Sequence, residues 1–329
     1  MGLPSVSVVM PVVNEERHLR ASVLRILDQD YAGSLDVTLA VGPSRDNTAQ
    51  VAAELSAEYP NVHVVDNPSG ATPTGLNLAI NSSSGDVVVR VDGHAMIPRD
   101  YISTAVDVLE RTGADNVGGV MAAEGTGEFE KAVAAAMTSK FGVGGASFHV
   151  GGDEGPALTV YLGCFRRSAL DRVGGYDETM ERAQDWEMNL RIRNTGGVVY
   201  FTPDLHVTYR PRHSLRALAR QYYDYGRWRR EVATRHPETI SVRYLAAPVT
   251  VAAISGGLAL SLAGVVSGRG GLVALGLMPA GVYAAGNAAA SASVAARAGE
   301  PAMMRRLPTV FATMHGAWGA GFLRGGAGR

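Results

Sequence analysis

The chain has 329 residues and very little cysteine, and charged residues make up only 19% of it. Its single cysteine, Cys164, can form no internal disulfide and cannot build a zinc cluster, which excludes disulfide scaffolds and zinc modules. No G-x-G-x-x-G motif follows the first predicted strand, which disfavours a nicotinamide dehydrogenase. The N-terminal segment MGLPSVSVVMP lacks the basic stretch and long apolar run of a secretory signal, so we expect the first half of the chain to be cytoplasmic.

Acidic side chains are scarce in the last part of the chain. Residues 1–204 carry 15 basic and 27 acidic side chains, whereas residues 205–329 carry 15 basic and only 4 acidic ones, so the net charge of -1 conceals balances of -12 and +11. This overall balance argues against a general nucleic-acid-binding protein. The hydrophobic share of 46% is too high for a disordered chain. We expect the basic part to meet an anionic partner, such as membrane lipid.

Apolar, β-branched runs alternate with helical patterns from the N-terminus. This alternation predicts an α/β fold with a mostly parallel sheet that is covered on both faces. Ligands of such sheets bind outside the carboxyl ends of the strands. The predicted strands are residues 5–13, 36–41, 61–65 and 86–91, and the helices after them begin at an Asn14 cap, at Asp46, at Thr74 and near Asp100.

Two long uncharged segments, residues 246–268 and 270–296, stand near the end of the chain. Each is long enough to cross a bilayer, and only Arg269 separates them, so they predict a C-terminal transmembrane helical hairpin. The alternative is a pair of buried Ala/Gly helices in a soluble bundle. Residues 307–323 fit a third span, a re-entrant segment or an interfacial helix equally well. Arginines flank the hairpin on both sides, which places those flanks in the cytoplasm.

We therefore predict a cytoplasmic domain over residues 1–240, whose last part, 212–240, is a basic juxtamembrane helix. Residues 245–329 are predicted to form a membrane region with two or three transmembrane or re-entrant helices. The protein would be a multi-pass protein of the inner (plasma) membrane, with its catalytic domain in the cytoplasm.

The motif VRVDGHA (89–95) closes the fourth predicted strand. Asp92 and His94 are two residues apart, so in an extended backbone they would point the same way and could share one divalent cation, Mn²⁺ or Mg²⁺. The alternative is an Asp-Gly turn that only ends the strand.

Two further motifs follow. In AQDWEMNLRIRNTGG (183–197), Asp185 opens a predicted helix whose Met188, Leu190 and Ile192 face inward, and Asp185 is either a catalytic group or a helix cap. In RQYYDYGRWRR (220–230), aromatic and arginine side chains form a cluster on the basic helix, which suits phosphate contacts or a membrane-interface belt.

Taken in this order, the three motifs resemble the inverting family 2 glycosyltransferases of the GT-A (Rossmann-like) fold over about residues 5–240. Within that family the chain looks most like the group of the succinoglycan-biosynthesis glucosyltransferase, through RVDGHA, QDWEMNLRIRNTGG and residues 203–226. The resemblance implies Asp185 as the catalytic base and Asp92 with His94 as metal ligands. It implies donor binding by Pro11, Asn14, Glu15, Asp46, Asn67, Asp92, Arg227 and Trp228, and an acceptor side of Gln184, Trp186, Glu187 and Gln221.

The chain departs from the family pattern in two places. Where the family has an acidic pair before Gly-Ser, this chain has Val41 and Gly42, so the carboxylate that would contact the nucleobase is missing. Gln221 also stands too far upstream of Arg227 for the family's QxxRW element.

The resemblance implies transfer of a sugar from a nucleotide-sugar donor to a lipid-linked (polyprenyl) or growing saccharide. The family's usual donor is a UDP-sugar. Such a step belongs to the synthesis of cell-surface polysaccharide or glycolipid. Two alternatives remain open at this point. One is a polyprenyl-phosphate glycosyltransferase, and the other is a non-catalytic membrane protein that binds nucleotide.

Overall fold

The computed structural model describes residues 2–326, so Met1 and the last three residues of the predicted membrane region lie outside the described residues. The chain divides into two compact units. The first holds the residues up to Ala122 together with Ala146–Tyr209, and the second holds Ala123–Gly145 together with the residues from Arg210 on.

The described residues form eight strands and thirteen α-helices. The strands are β1 (Val6–Val12), β2 (Leu35–Val41), β3 (Val62–Asp66), β4 (Val87–Arg90), β5 (Asn116–Ala123), β6 (Gly155–Pro156), β7 (Tyr161–Arg166) and β8 (Val199–Tyr209). The helices are α1 (Leu19–Leu27), α2 (Thr48–Glu58), α3 (Thr72–Asn81), α4 (Tyr101–Thr112), α5 (Glu128–Met137), α6 (Lys140–Val143), α7 (Ser147–Val150), α8 (Arg167–Val173), α9 (Gln184–Asn194), α10 (Leu215–Arg235), α11 (Val242–Val266), α12 (Gly270–Arg297) and α13 (Leu307–Arg324).

The strands form one mixed sheet in the order β3-β2-β1-β4-β7-β5-β8-β6. The first four strands in this order are parallel. β7 runs antiparallel to both β4 and β5, and β6 runs antiparallel to β8. The predicted α/β class with a mostly parallel sheet is confirmed, and β4 lies where the parallel half meets the antiparallel half.

β1 shows why the first strands read as unbroken apolar runs. Val8 and Met10 lie in one hydrophobic core cluster, while Val9 between them lies in the other, and all three are at most 1% exposed. Both faces of the sheet are therefore covered, as parallel sheets require.

The predicted helix starts are displaced at three positions. α1 begins at Leu19, well after the predicted cap at Asn14. α2 begins at Thr48 instead of Asp46, and α3 begins at Thr72 instead of Thr74.

In the second unit, α10 packs along α13 at a short distance. A Cβ on Gly226 would lie 2.0 Å from the carbonyl oxygen of Trp318, and a Cβ on Gly321 would lie 2.1 Å from that of Tyr223. Only glycine allows this approach, because any side chain would push the backbones apart. By packing, α10 belongs to the second unit, while the predicted domain boundary near residue 240 stays a prediction.

α11 and α12 form a helical hairpin, as predicted. A Cβ on either Gly257 or Gly276 would lie 2.3 Å from the other residue's carbonyl oxygen, a close contact of small residues common between membrane helices. Both helices are long and apolar enough to cross a membrane, and only 17% and 6% of their most apolar stretches are buried.

α13 differs from these two helices. Its Leu307, Val310, Phe311 and Met314 are fully buried, and it packs on α5, α10 and α11. Among the described helices, only α11 and α12 have the length and composition of a membrane span. The structure therefore favours a packed helix over a third span for residues 307–323.

Candidate active site

The carboxyl end of β4 holds a buried arginine between two carboxylates. Arg90, the last residue of β4, is 6% exposed. Its Nε and one terminal nitrogen lie 3.1 and 3.0 Å from Oδ1 of Asp92. Its other terminal nitrogen donates to Oδ1 of Asp185 in the first turn of α9. The structure thus brings together two motifs that lie far apart in the sequence.

Sequence reasoning missed Arg90, although it interrupts the apolar run VVVRV. Burying a guanidinium costs free energy unless anionic partners pair with it, so an arginine in a buried strand is itself a signal of nearby carboxylates. Asp92 could have been recognised as a partner of Arg90, because it lies two residues further along the chain. Asp185 could not have been recognised as the second partner, because it belongs to another element.

The backbone just before Asp185 has an unusual conformation. Ala183, just before α9, has a left-handed φ of +61°, and no side-chain cap contact is made at this end of the helix. The alternative of Asp185 as a helix cap is therefore wrong. Met188, Leu190 and Ile192 are buried, as the spacing predicts.

The surroundings of Asp185 change its acidity. Loss of hydration raises its pKa, the positive charge of Arg90 opposes that rise, and the negative charge of Asp92 adds to it, so the pKa is raised overall. The Asp185 side chain is still 37% exposed, which leaves the carboxylate within reach of a ligand. A carboxylate with a raised pKa is a stronger base.

His94 and Asp92 do not share an extended backbone. β4 ends at Arg90, and Ala95 N–H donates to the Asp92 carbonyl at 2.8 Å, which closes a turn. The predicted geometry, in which both side chains point the same way along a strand, is therefore wrong.

The turn instead brings His94 to a third acidic residue. His94 Nδ1 lies 2.8 Å from Oε1 of Glu15, which follows β1. A Cβ on Gly93 would lie 2.9 Å from Cγ of Glu15, so glycine at this position lets the Glu15 side chain pass. Within residues 2–326, no three His, Cys, Asp or Glu side chains converge into a metal cage.

The loop after β1 is tied to the loop after β2. Asn14 has a left-handed φ of +57°, its N–H donates to Ser44 Oγ at 3.1 Å, and its Oδ1 accepts from Arg45 N–H at 2.8 Å. The predicted helix cap at Asn14 is wrong because α1 begins only at Leu19. Asn14 instead shapes the loop, in a conformation that asparagine tolerates.

Thr48 and Asp46 form further hydrogen bonds at the junction between the loops after β1 and β2. Thr48 Oγ1 accepts from Glu15 N–H at 2.7 Å and donates to Asp46 Oδ1 at 2.5 Å, while Asp46 Oδ2 accepts from Glu16 N–H at 3.2 Å. These bonds fix the position of Glu15 next to the β4 turn.

Asn67 and Pro11 lie at the same sheet edge, beside α3. Asn67 is fully buried, and its side chain bonds with Ala71 and Ser69 in the loop before α3. A Cβ on Gly75 in α3 would contact both Asn67 and Pro11, so α3 packs tightly on these two residues.

The predicted acceptor residues on α9 flank Asp185. Gln184 is buried and Trp186 is half-buried. Glu187 is 4% exposed, and its two oxygens accept from Arg191 at 2.6 and 2.7 Å.

The predicted residues of α10 lie in the second unit. Arg227 donates to the carbonyls of Gly325 and Gly326, at 3.4 and 2.5 Å. Trp228 is 7% exposed, and Gln221 Nε2 donates to the Tyr225 hydroxyl at 2.8 Å.

The amino-acid sequence is similar to a known family and to known proteins. The family model described as "Glycosyl transferase family 2" matches residues 7–174. The succinoglycan biosynthesis protein ExoA of Rhizobium meliloti (strain 1021) is 31% identical over 320 residues, which cover 96% of this chain and 93% of that protein. A dolichyl N-acetyl-alpha-D-glucosaminyl phosphate 3-beta-D-2,3-diacetamido-2,3-dideoxy-beta-D-glucuronosyltransferase of Methanococcus voltae is 23% identical over 67% of this chain and 71% of its own length.

Solved structures share the fold. The mannosyltransferase PcManGT from Pyrobaculum calidifontis, solved in complex with GDP-Man and Mn²⁺, has a TM-score of 0.62 at 20% identity and covers 96% of this chain and 86% of that one. S. aureus TarS, residues 1–349 in complex with UDP-GlcNAc, has a TM-score of 0.52 at 16% identity and covers 70% and 66%.

The junction between the two loops generates a stability prediction. Thr48→Val keeps the shape of the side chain but leaves the Glu15 N–H without its acceptor and removes one of the donors to Asp46. We therefore expect the free energy of unfolding to fall by about 1–3 kcal/mol. The measurement is urea unfolding of the detergent-solubilised chain.

Thr38 in β2 offers the matched control. It is fully buried, and its hydroxyl has no hydrogen-bond partner within the described part of the chain. We expect Thr38→Val to leave stability unchanged or to raise it, since only an unsatisfied hydroxyl is removed. Equal losses in the two variants would contradict the role of Thr48.

Proposed function

The chain belongs to glycosyl transferase family 2, and on that premise we propose that it is a membrane-anchored, inverting, metal-dependent hexosyltransferase. It would move a sugar from a nucleotide-sugar donor to a lipid-linked or growing saccharide in cell-surface polysaccharide or glycolipid synthesis. The observation that carries the proposal is the pairing of Asp92 and Asp185 with one buried arginine. Arg90 thereby holds Asp92, the carboxylate on the donor side, close to Asp185, the carboxylate on the acceptor side.

Asp185 serves as the general base. An acceptor hydroxyl is a poor nucleophile until its proton is removed, and a carboxylate within hydrogen-bond reach can take that proton as the bond to the anomeric carbon forms. Attack from the face opposite the leaving diphosphate inverts the anomeric configuration. The raised pKa and partial exposure of Asp185 both support this role.

Asp92 and His94 would contribute ligands to a divalent cation. Both Arg90 contacts fall on Oδ1 of Asp92, which leaves Oδ2 for an ion, and His94 adds an imidazole next to the Glu15 carboxylate. Oxygen and nitrogen donors suit Mn²⁺, and Mg²⁺ is also compatible. Since no complete cage exists among residues 2–326, further ligands would come from the donor diphosphate and water. A bound cation would supply charge stabilisation for the departing diphosphate.

The donor nucleotide would lie against Pro11, Asn14 and Glu15. Asp46 and Asn67 support this surface through loop bonds. Val41 is buried, and a Cβ on Gly42 would lie 2.7 Å from Val13 and 2.9 Å from Gly70. No carboxylate fits at Gly42, so a UDP-sugar would have to be recognised without the family's acidic contact. The donor-binding roles of Arg227 and Trp228, which lie in the second unit, stay predictions from the family resemblance.

α11 and α12 would insert as a hairpin into the inner (plasma) membrane. Their apolar side chains are widely exposed, as at Val249 (61%), Leu262 (66%) and Val282 (68%). Such a surface is unfavourable in water and favourable in lipid. The arginines on both flanks favour cytoplasmic ends and a cytoplasmic catalytic unit, and they suit contact with anionic lipid head groups. Flanking arginines are Arg227, Arg229, Arg230, Arg235, Arg243, Arg297, Arg305 and Arg306.

Asp185→Asn tests the base. We expect it to bind a nucleotide diphosphate as the wild type does and to lose transfer by a factor on the order of 10²–10⁴, since the amide cannot accept the proton. Binding is measured by isothermal titration and transfer with a radiolabelled donor. Asp171→Asn, at an exposed site on α8, is the control and should keep full activity.

Full activity of Asp185→Asn would contradict the base assignment. A mild loss would instead favour transfer to a polyprenyl phosphate, because a phosphate acceptor needs little help from a base.

The pH dependence of transfer by the wild type gives a second test of Asp185. The rate should fall on acidification at a pH above that expected for an ordinary aspartate, because the raised pKa means that Asp185 becomes protonated sooner as the pH drops.

The cation is tested by chelation and by Asp92→Ala. We expect EDTA to abolish transfer, Mn²⁺ or Mg²⁺ to restore it, and Asp92→Ala to lose metal-dependent binding of the nucleotide diphosphate in titration. Asp107→Ala, whose side chain on α4 is 75% exposed, should bind normally. Transfer that survives both EDTA and Asp92→Ala would rule out the cation.

A further inference from the structure

Arg90 is a buried cation in the middle of the sheet. β4 pairs with β1 on one side and β7 on the other, and the Arg90 side chain is only 7% exposed. Burial lowers the pKa of the guanidinium, but the charges of Asp185 and Asp92 outweigh that effect. Arg90 therefore stays charged between two carboxylates that have different tasks in the proposed reaction.

We propose that Arg90 is a positioning residue that holds the Asp185 carboxylate in place relative to Asp92, so that the base and the donor-side carboxylate keep a fixed separation. This role rests on the proposed function, because it acts through the base assigned there.

The contacts of Arg90 join two separate segments of the chain. Nε and one terminal nitrogen already pair with Asp92 on the adjoining turn, yet the other terminal nitrogen reaches Asp185 on α9. Among the described residues, Arg90 is the only side chain that hydrogen-bonds to Asp185. A partly exposed carboxylate without this contact would be free to rotate towards solvent.

The planar fork of arginine is essential to this arrangement. Its nitrogens point in fixed directions and can hold two carboxylates at once, whereas a lysine ammonium is a single point charge on a flexible stem. Lysine at position 90 would keep the buried positive charge but could not fix both partners. Misplacing a catalytic group by about 1 Å can cost on the order of 10²-fold in rate.

The test begins with Arg90→Lys. We expect titration of a nucleotide diphosphate with Mn²⁺ and the KM for the donor to stay within a few-fold of the wild type, while kcat falls on the order of 10²-fold. The thermal unfolding midpoint is recorded alongside, so that a loss of fold is recognised. Arg90→Ala is tested with added guanidinium ion, which should restore part of kcat, whereas urea at the same concentration should not.

Arg167→Lys is the matched control for a purely structural arginine. Arg167 donates to the carbonyls of Gly85 and Ile80 and to the Ser83 hydroxyl. We expect its replacement to lower the unfolding midpoint, to leave kcat unchanged and to show no guanidinium effect.

A double variant separates positioning from general damage. If Arg90 acts through Asp185, then Arg90→Lys should lower kcat no further in an Asp185→Asn background. Multiplying losses, or a loss of Mn²⁺-nucleotide binding equal to the loss of kcat, would overturn the positioning role and leave the proposed function standing. No transfer by the wild type from any donor would overturn the proposed function, and the positioning role with it.

Discussion

The structure of the site depends on one constraint, which is that the guanidinium of Arg90 is buried and must be surrounded by negative charge. A charge in a protein interior is tolerated only when it is paired and hydrogen-bonded. The turn after β4 supplies Asp92, and the start of α9 supplies Asp185. Two distant segments of the chain are thereby required to meet at one edge of the sheet, where ligands of parallel α/β sheets bind.

Much of the first unit could be predicted from the sequence, because its pattern is local. Buried parallel strands appear in the sequence as apolar runs, and the helices that cover them appear as amphipathic periods. These patterns predict four strand-helix pairs, with displaced starts at α1, α2 and α3. The antiparallel order of β7 and β5 could not be derived, because strand pairing depends on contacts between distant residues. The motifs and the family resemblance also single out Asp92 and Asp185 as candidates. Their connection through Arg90, the turn at Gly93 and the left-handed Asn14 and Ala183 depend on tertiary contacts.

The charge difference along the chain follows the two units only in part. The acidic part contains most of the mixed sheet, and the basic part contains α10, the apolar hairpin and α13, but α5 and α6 stand in the acidic part and belong to the second unit. α13 shows the limit of composition as a guide: it is apolar enough to suggest a span, yet its apolar residues pack inside the protein. The exposed apolar surface of α11 and α12 is the observation behind the proposed membrane hairpin.

The central claim is that a membrane-held enzyme transfers sugar to a lipid-linked acceptor by means of Asp185. The most direct measurement uses membranes that contain the protein, washed with alkaline carbonate to remove peripheral proteins and incubated with a panel of radiolabelled nucleotide sugars. The account predicts that the protein stays in the membrane and that one donor labels the lipid fraction with the wild type but not with Asp185→Asn. Release of the protein by the wash, or no lipid label from any donor, would contradict it.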